Sequence, residues 1–150
     1  MRERLVLVTG ATGYVGTVLV PLLAQKHRVR CFDSQQFGNS ISETPNVEFR
    51  VGDIRNRPEC WRALVGVTDV IHLAGIVTDD LADLNRHMTF EVNVEATLGL
   101  LNMAQVSGAS RFLYASSSSV YGSTLEDATE DMQPRPATFY AETKLMAERF

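Results

Sequence analysis

The fold class this sequence predicts is α/β: a doubly wound parallel sheet with helices on both faces. Three observations predict it. The apolar run Leu5–Val8 ends in three glycines spaced three apart, Gly10, Gly13 and Gly16, and amphipathic sequence follows at once. Beyond it, short β-rich segments alternate with segments of helical period along all 150 residues, a pattern that calls for parallel strands joined by crossover helices. Finally, 45% of residues are apolar and 21% charged, which suits one globular domain, 1–150, burying about two thirds of the surface its unfolded chain exposes.

The elements follow in order. Strands are expected at 4–9, 28–33, 47–51, 69–73 and 111–116. After the glycines, Val15, Val18, Leu19, Leu22 and Leu23 fall at helical spacing and predict a helix with one buried face. Pro21 sits inside that helix and is expected to kink it. The segment Gly38 to Pro45 reads as a loop. Pro58 suits the first turn of a short helix running through Trp61 and Leu64, with Trp61 as a packing residue. A long helix carries Phe90, Val94, Thr97, Leu98, Leu101 and Ala104 on one face, and Gly108 is its C-terminal stop. Right-handed crossovers then place a ligand at the carboxyl ends of the strands.

The opening glycines have a chemical reading. A strand turning directly into a helix leaves unpaired backbone N–H groups and the positive end of the helix dipole facing outward, which suits a pyrophosphate. The second strand ends in Asp33, 17 residues past Gly16, near the distance at which dinucleotide folds place an acid on the adenosine ribose. Together these predict nucleotide binding. The formal charge of −4, with no basic cluster, argues against nucleic acid as partner. No stretch is long enough to span a bilayer, and the apolar run behind Arg2 and Arg4 is too short for a signal peptide. Cys31 and Cys60 read as reduced packing residues of a cytoplasmic protein.

A second constellation follows the fifth strand: Ser116-Ser117-Ser118-Ser119-Val120-Tyr121-Gly122, then Tyr140-Ala141-Glu142-Thr143-Lys144 opening a helix. With Thr9 to Gly16, Asp33, Gly52-Asp53-Ile54-Arg55, His72-Leu73-Ala74-Gly75 and Asn93-Val94, these segments resemble, in order and over the whole chain, the N-terminal half of an extended short-chain dehydrogenase/reductase. The resemblance is to the NAD-dependent epimerase/dehydratase family acting on nucleotide sugars, whose fold is Rossmann-like.

The resemblance implies roles. Gly10, Gly13 and Gly16 would shape the pyrophosphate site, with backbone N–H groups from Tyr14 and Val15. Asp33 would bind the adenosine ribose; its charge, with no cation supplied by Ser34 or Gln35, favours NAD over NADP. Asp53 and Ile54 would meet the adenine, while Leu73, Ala74 and Gly75 would run along the cofactor towards the nicotinamide. Ser117 matches the catalytic serine, with Ser116 and Ser118 as the alternative candidates ranked after it. Tyr140 and Lys144 match the catalytic pair, which also contacts the cofactor. Asn93 matches the asparagine that helps to order the lysine and its water. A homodimer through the helices carrying Asn93 and Tyr140 is implied as well.

The implied chemistry needs these residue types. A free tyrosine has a pKa near 10, so it needs a nearby ammonium to act as a base at neutral pH, each unit of depression being worth about 1.4 kcal/mol. Tyr140 would then take a hydroxyl proton while hydride passes to NAD, with Ser117 on the same oxygen. His72 is expected to support backbone geometry. His27 and His87 lack metal partners, Asp79, Asp80 and Asp83 read as a loop or helix start, and Glu126, Asp127, Glu130 and Asp131 as a solvated loop; no metal is expected. Family members are about twice as long, and this chain ends six residues after Lys144, so the sixth strand and the substrate region are expected to be missing. Three functions follow: the cofactor half of a nucleotide-sugar epimerase or dehydratase, a non-catalytic NAD-binding module, or a reductase or dehydrogenase of a non-sugar alcohol.

Overall fold

Leu5–Thr9 (β1), Arg28–Asp33 (β2), Val47–Val51 (β3), Asp69–His72 (β4) and Arg111–Tyr114 (β5) form one parallel sheet in the spatial order β3-β2-β1-β4-β5. This is the doubly wound order expected: the chain steps outward from β1 to β3, returns across β1, and steps the other way. The computed structural model describes residues 4–36, 38, 39, 41, 44–124 and 127–150. The expected loop from Gly38 to Pro45 lies partly outside them, as does Arg2. β2 and β3 have the bounds the sequence predicts, whereas β4 and β5 stop one and two residues sooner than expected. The helices are Tyr14–Ala24 (α1), Arg57–Leu64 (α2), Asp79–Leu84 (α3), Arg86–Phe90 (α4), Thr97–Val106 (α5) and Phe139–Glu148 (α6). No helix among the described residues is long and apolar enough to cross a membrane.

The chain divides into two compact units, the first reaching to Ala74 and including Gly99–Ala115, the second comprising Gly75–Leu98 and Ser116–Phe150. The sheet belongs to the first. Every residue of β1 is buried, so the strand is a continuous apolar run, as a sheet covered on both faces requires. Val6, Val8, Val29 and Cys31 pack with Val20 and Ala24 of α1, while Leu7, Val70, Leu64, Leu100 and Met103 are buried elsewhere in the unit.

α1 buries a different face from the one its large apolar residues predict. Gly16, Val20 and Ala24 are buried, while Val15, Val18 and Leu22 are 56%, 64% and 58% exposed. The reason lies at Gly16, where an added Cβ would stand 2.3 Å from the Ala11 carbonyl oxygen. That close approach turns the row of small residues i, i+4, i+8 inward. Pro21 lies inside α1, which continues to Ala24. In α2, Asn56 caps the N-terminus and Pro58 sits in the first turn as expected. Cys60, Ala63 and Leu64 form its buried side, however, and Trp61 is 41% exposed rather than packed away.

Arg30 is a buried cation on β2. Its guanidinium pairs with Glu48 of β3 and donates to the carbonyls of Ala63 (2.7 Å) and Val65 (2.6 Å). It thereby satisfies oxygens that the end of α2 would otherwise leave without intrahelical donors. Cys31 and Cys60 are free and fully buried. Burial, with a smaller push from Asp33, raises the Cys31 thiol to about 12, and burial, helped by Asp53 and Glu59, raises Cys60 to about 11. Both are packing residues.

In the second unit, α6 packs against α3, α4, a π-helical stretch at Glu91–Ala96 and a 3-10 turn at Ser118–Tyr121. Thr78, Asn85 and Thr138 cap α3, α4 and α6 with their side chains. The amphipathic face predicted from Phe90 to Ala104 is realised except at its start, with Leu98 and Leu101 half-buried on it. Val94, Thr97 and Ala104 are buried, but Phe90 is 37% exposed and the buried position before the π stretch is Thr89. The wider π turns shift the phase of the helix, so one period cannot fit both sides.

Candidate functional site

In the first unit, chemistry gathers where β1 opens into α1. Gly10 has φ +66°, donates its N–H to the Phe32 carbonyl (3.0 Å), and leaves room for a Cβ only 2.6 Å from the Ala74 nitrogen. Its backbone conformation and that approach both require glycine. Gly16 is required by its contact with Ala11. Gly13 is different. Its φ of −75° suits any residue, it is exposed, and a Cβ there would meet nothing nearer than the Gly10 oxygen at 3.2 Å. α1 starts immediately after it with no side-chain cap, so the N–H groups of Tyr14, Val15 and Gly16 have no acceptor within the helix. An open helix start behind a glycine that the fold scarcely needs fits a diphosphate resting on the main chain.

Asp33 ends β2 beside this turn. Its carboxylate accepts the Thr12 N–H (3.0 Å) and the Gln35 N–H (2.7 Å), which fix its position and leave lone pairs free for hydroxyl donors. Asp53 is gripped by the Arg55 guanidinium (2.6 Å). The hydrogen bond from Arg55 outweighs partial burial and holds its carboxyl below the usual range. Ile54 is 8% exposed, and its carbonyl faces the Cys60 thiol at 3.2 Å. At the end of β4, the Thr9 hydroxyl lies 2.6 Å from His72 Nδ1 and accepts the Ala74 N–H, while the Thr9 carbonyl accepts the Leu73 N–H. His72 is 1% exposed. It braces the Leu73-Ala74 backbone, the role its sequence context predicts.

In the second unit, Asn93 is the organising residue. It is 2% exposed on the π stretch. Its Oδ1 accepts the Ile76 N–H (2.8 Å), and its Nδ2 donates to the Ile76 carbonyl (2.9 Å) and the Thr143 hydroxyl (3.2 Å). Thr143 in turn donates to the Tyr140 carbonyl (2.7 Å). Gly75 is glycine because a Cβ would sit 3.0 Å from Asn93 Oδ1. Asn93 therefore fixes the helical turn that carries Tyr140 and Lys144. π turns are frequent at functional sites, and no residue pattern announces this one.

The serine run is sorted by its bonds. Ser117 Oγ lies 2.7 Å from Ser119 Oγ and accepts the Ser119 N–H, capping the 3-10 turn. Ser116 donates to Glu148 (2.9 Å), and Ser118 is exposed. The turn closes at Gly122, whose φ is +71° and whose Cβ would strike the Arg135 oxygen at 2.2 Å. Sequence reasoning missed Thr143, Glu148 and this clasp. Of these, only Glu148 left a readable trace, four residues after Lys144 on one helix.

Lys144 is 5% exposed. Burial pulls its ammonium down to about 8 from an ordinary 10.5, against an opposing pull from Glu148. The folded chain thus binds this proton less tightly than the unfolded chain does. The cost is borne in full below pH 8 and is relieved as pH rises towards 10.5. Lys144→Met is therefore expected to stabilise the fold by about 1–3 kcal/mol at pH 7. Denaturant midpoints measured across pH should show that gain shrinking to nothing by pH 10.5; a loss of stability at pH 7 contradicts it.

The acidic residues set aside from the sequence behave as surface groups. Asp79 and Asp80 open α3, Asp83 pairs with Arg86 (2.7 Å), and Asp127, Glu130 and Asp131 are exposed. Glu126 lies outside the described residues. No group of three His, Cys, Asp or Glu side chains that could hold a metal ion occurs among the described residues.

Comparison with known proteins adds the kinship. The 3 beta-hydroxysteroid dehydrogenase/Delta 5-->4-isomerase of Mycobacterium tuberculosis is 38% identical over 97% of this chain and 41% of its own length. The structure of MoeE5 in complex with UDP-glucose and NAD matches with a TM-score of 0.85 and 33% identity, over 96% of this chain and 46% of that one. The UDP-glucose 4-epimerase of Thermus thermophilus, solved with NAD, matches with a TM-score of 0.86 and 29% identity, over 97% and 49%. The chain thus spans less than half the length of these relatives. The model of the NAD dependent epimerase/dehydratase family matches residues 6–150, and with the glycine turn, Asp33 and the Tyr140/Lys144 helix in place, the chain belongs to that family.

Proposed function

We propose that the chain is the cofactor-binding and catalytic portion of an enzyme that reversibly oxidises a secondary ring hydroxyl of a nucleotide sugar, with NAD as coenzyme. The observation that carries this reading is Lys144. An ammonium is buried at a cost to stability, one helical turn from a tyrosine that remains partly exposed. In this reading Gly10, Gly13 and Gly16, with the N–H groups of Tyr14 and Val15, hold the diphosphate. Asp33 holds the adenosine ribose, the Asp53-Ile54 backbone meets the adenine, Leu73, Ala74 and Gly75 line the way to the nicotinamide, and Tyr140 and Lys144 bind its ribose. NAD, when bound, supplies the hydride acceptor. Lys144 stabilises the Tyr140 phenolate, Tyr140 takes the proton from the substrate hydroxyl, and Ser117 donates a hydrogen bond to the same oxygen. Asn93 holds the turn that sets their spacing. The apolar side chains left exposed on the neighbouring helices, Phe90 and Met146, support a homodimer through these elements, which sedimentation velocity would reveal.

Calorimetric titration of NAD and NADP into the chain tests the cofactor. The fixed negative charge of Asp33 opposes a 2′-phosphate, so NAD is expected to bind at least about tenfold more tightly, or about 1.4 kcal/mol. Equal affinities would overturn the assignment. A second reading, oxidation of a 3β-hydroxysterol, is favoured by the mycobacterial dehydrogenase relative. Assaying the full reading frame with UDP- and dTDP-sugars against sterols decides between the two.

A further inference from the structure

The ammonium of Lys144 has a neighbour that the catalytic reading does not use. Glu148 lies four residues on along α6, so the two side chains leave the same face of the helix one turn apart. Glu148 is exposed at the helix end, where a free glutamate would sample many rotamers, but its Oε2 accepts the Ser116 hydroxyl at 2.9 Å. Ser116 precedes the 3-10 turn, so the bond ties the end of α6 to the serine segment within the same unit. The elements packed against α6 carry other charges: Asp79, Asp80 and Asp83 on α3, Arg86 and His87 on α4, Glu91 and Glu95 on the π stretch, and Tyr121 on the 3-10 turn; Tyr140, Glu142 and Arg149 lie on or beside α6 itself. Asp83 is taken up by Arg86, which lies over the Phe139 ring at 5.0 Å. The charge of Glu148 is the one that pulls Lys144 upward against its burial.

We propose that Glu148, fixed by the Ser116 hydroxyl, is a positioning residue whose carboxylate serves as counter-charge to the buried Lys144 ammonium. Its importance for catalysis rests on the function proposed above; its electrostatic role does not. Burial alone favours a neutral amine, which would lend no help to a phenolate. A carboxylate at the rim offsets part of that penalty without itself being buried, and the serine tether limits the rotamer entropy that weakens most exposed ion pairs.

The chain contains only two lysines, Lys26 and Lys144, so lysine side-chain NMR reads the site directly, with the exposed Lys26 as internal reference. In Glu148→Gln the Lys144 titration midpoint should fall by roughly half a pH unit or more, with Lys26 unmoved. Ser116→Ala should move it the same way by less. Added salt should lower the midpoint in the parent chain and leave it nearly unchanged in the Gln variant. A Lys144 midpoint that is the same with Gln at position 148, or an equal salt response in both proteins, overturns the proposal. If instead the midpoint falls while the rate–pH profile of the full reading frame does not shift, the counter-charge stands and the catalytic reading of Lys144 fails.

Discussion

Tyr140→Phe, introduced into the full reading frame, is expected to cut turnover by about 10²–10⁴-fold, the usual contribution of a positioned proton acceptor, while leaving NAD affinity within about threefold. The substitution removes one oxygen from a half-exposed ring. The anchoring of α6 does not pass through that oxygen: Thr143 holds the Tyr140 carbonyl, Asn93 holds Thr143, and Thr138 caps the helix start. The backbone turn and Lys144 should therefore stay in place, and the loss should appear in kcat rather than in folding. Stopped-time assays under saturating NAD, with calorimetry on the same preparation, separate the two effects. A variant that retained full turnover would remove Tyr140 from the chemistry and leave the burial of Lys144 without a purpose.

The parts of this molecule that were legible in the sequence are those governed by local rules. The glycine spacing and alternating apolar segments point to a doubly wound parallel sheet, because crossover handedness leaves few arrangements of five parallel strands. Pro58 marks the first turn of α2 by its fixed backbone alone. Features set by tertiary contact were not legible. Val15, Val18 and Leu22 look like a core face until Gly16 is seen pressed on Ala11, an approach decided by the partner and not by helix period. The π stretch that turns Asn93 inward has no periodic signature, so Phe90 falls out of phase with the face that follows it. Arg30 sits inside a strand whose alternation gives no hint that its guanidinium satisfies the end of α2. In the candidate site, Asn93, Tyr140 and Lys144 are named by the resemblance to a known family. The bonds through Thr143 and Ile76 that hold them were not legible, because residue pairs separated by 17 or 50 positions meet only once the unit has folded.

The three opening glycines should separate into two kinds when each is changed to alanine. Gly16→Ala drives a methyl into the Ala11 backbone at 2.3 Å, and Gly10→Ala combines a positive φ with contact at 2.6 Å to the Ala74 nitrogen. In neither case is the obstacle a flexible side chain that could swing away, so each is expected to destabilise the fold by about 3 kcal/mol or more. Gly13→Ala asks only that the Gly10 carbonyl yield a few tenths of an ångström from 3.2 Å, at a φ that alanine adopts freely. Its loss of freedom in the unfolded chain partly offsets that strain, so stability should change by less than about 1 kcal/mol. On the proposal that the diphosphate rests on the N–H groups of Tyr14 and Val15, a methyl at the residue before them should nevertheless cut NAD affinity at least about tenfold. Denaturant melts and NAD titrations on the three variants give six values. The reading requires that stability and affinity dissociate at Gly13 alone: a Gly13→Ala chain that binds NAD normally would mean that the open start of α1 is not where the diphosphate rests, and the cofactor assignment would fall with it.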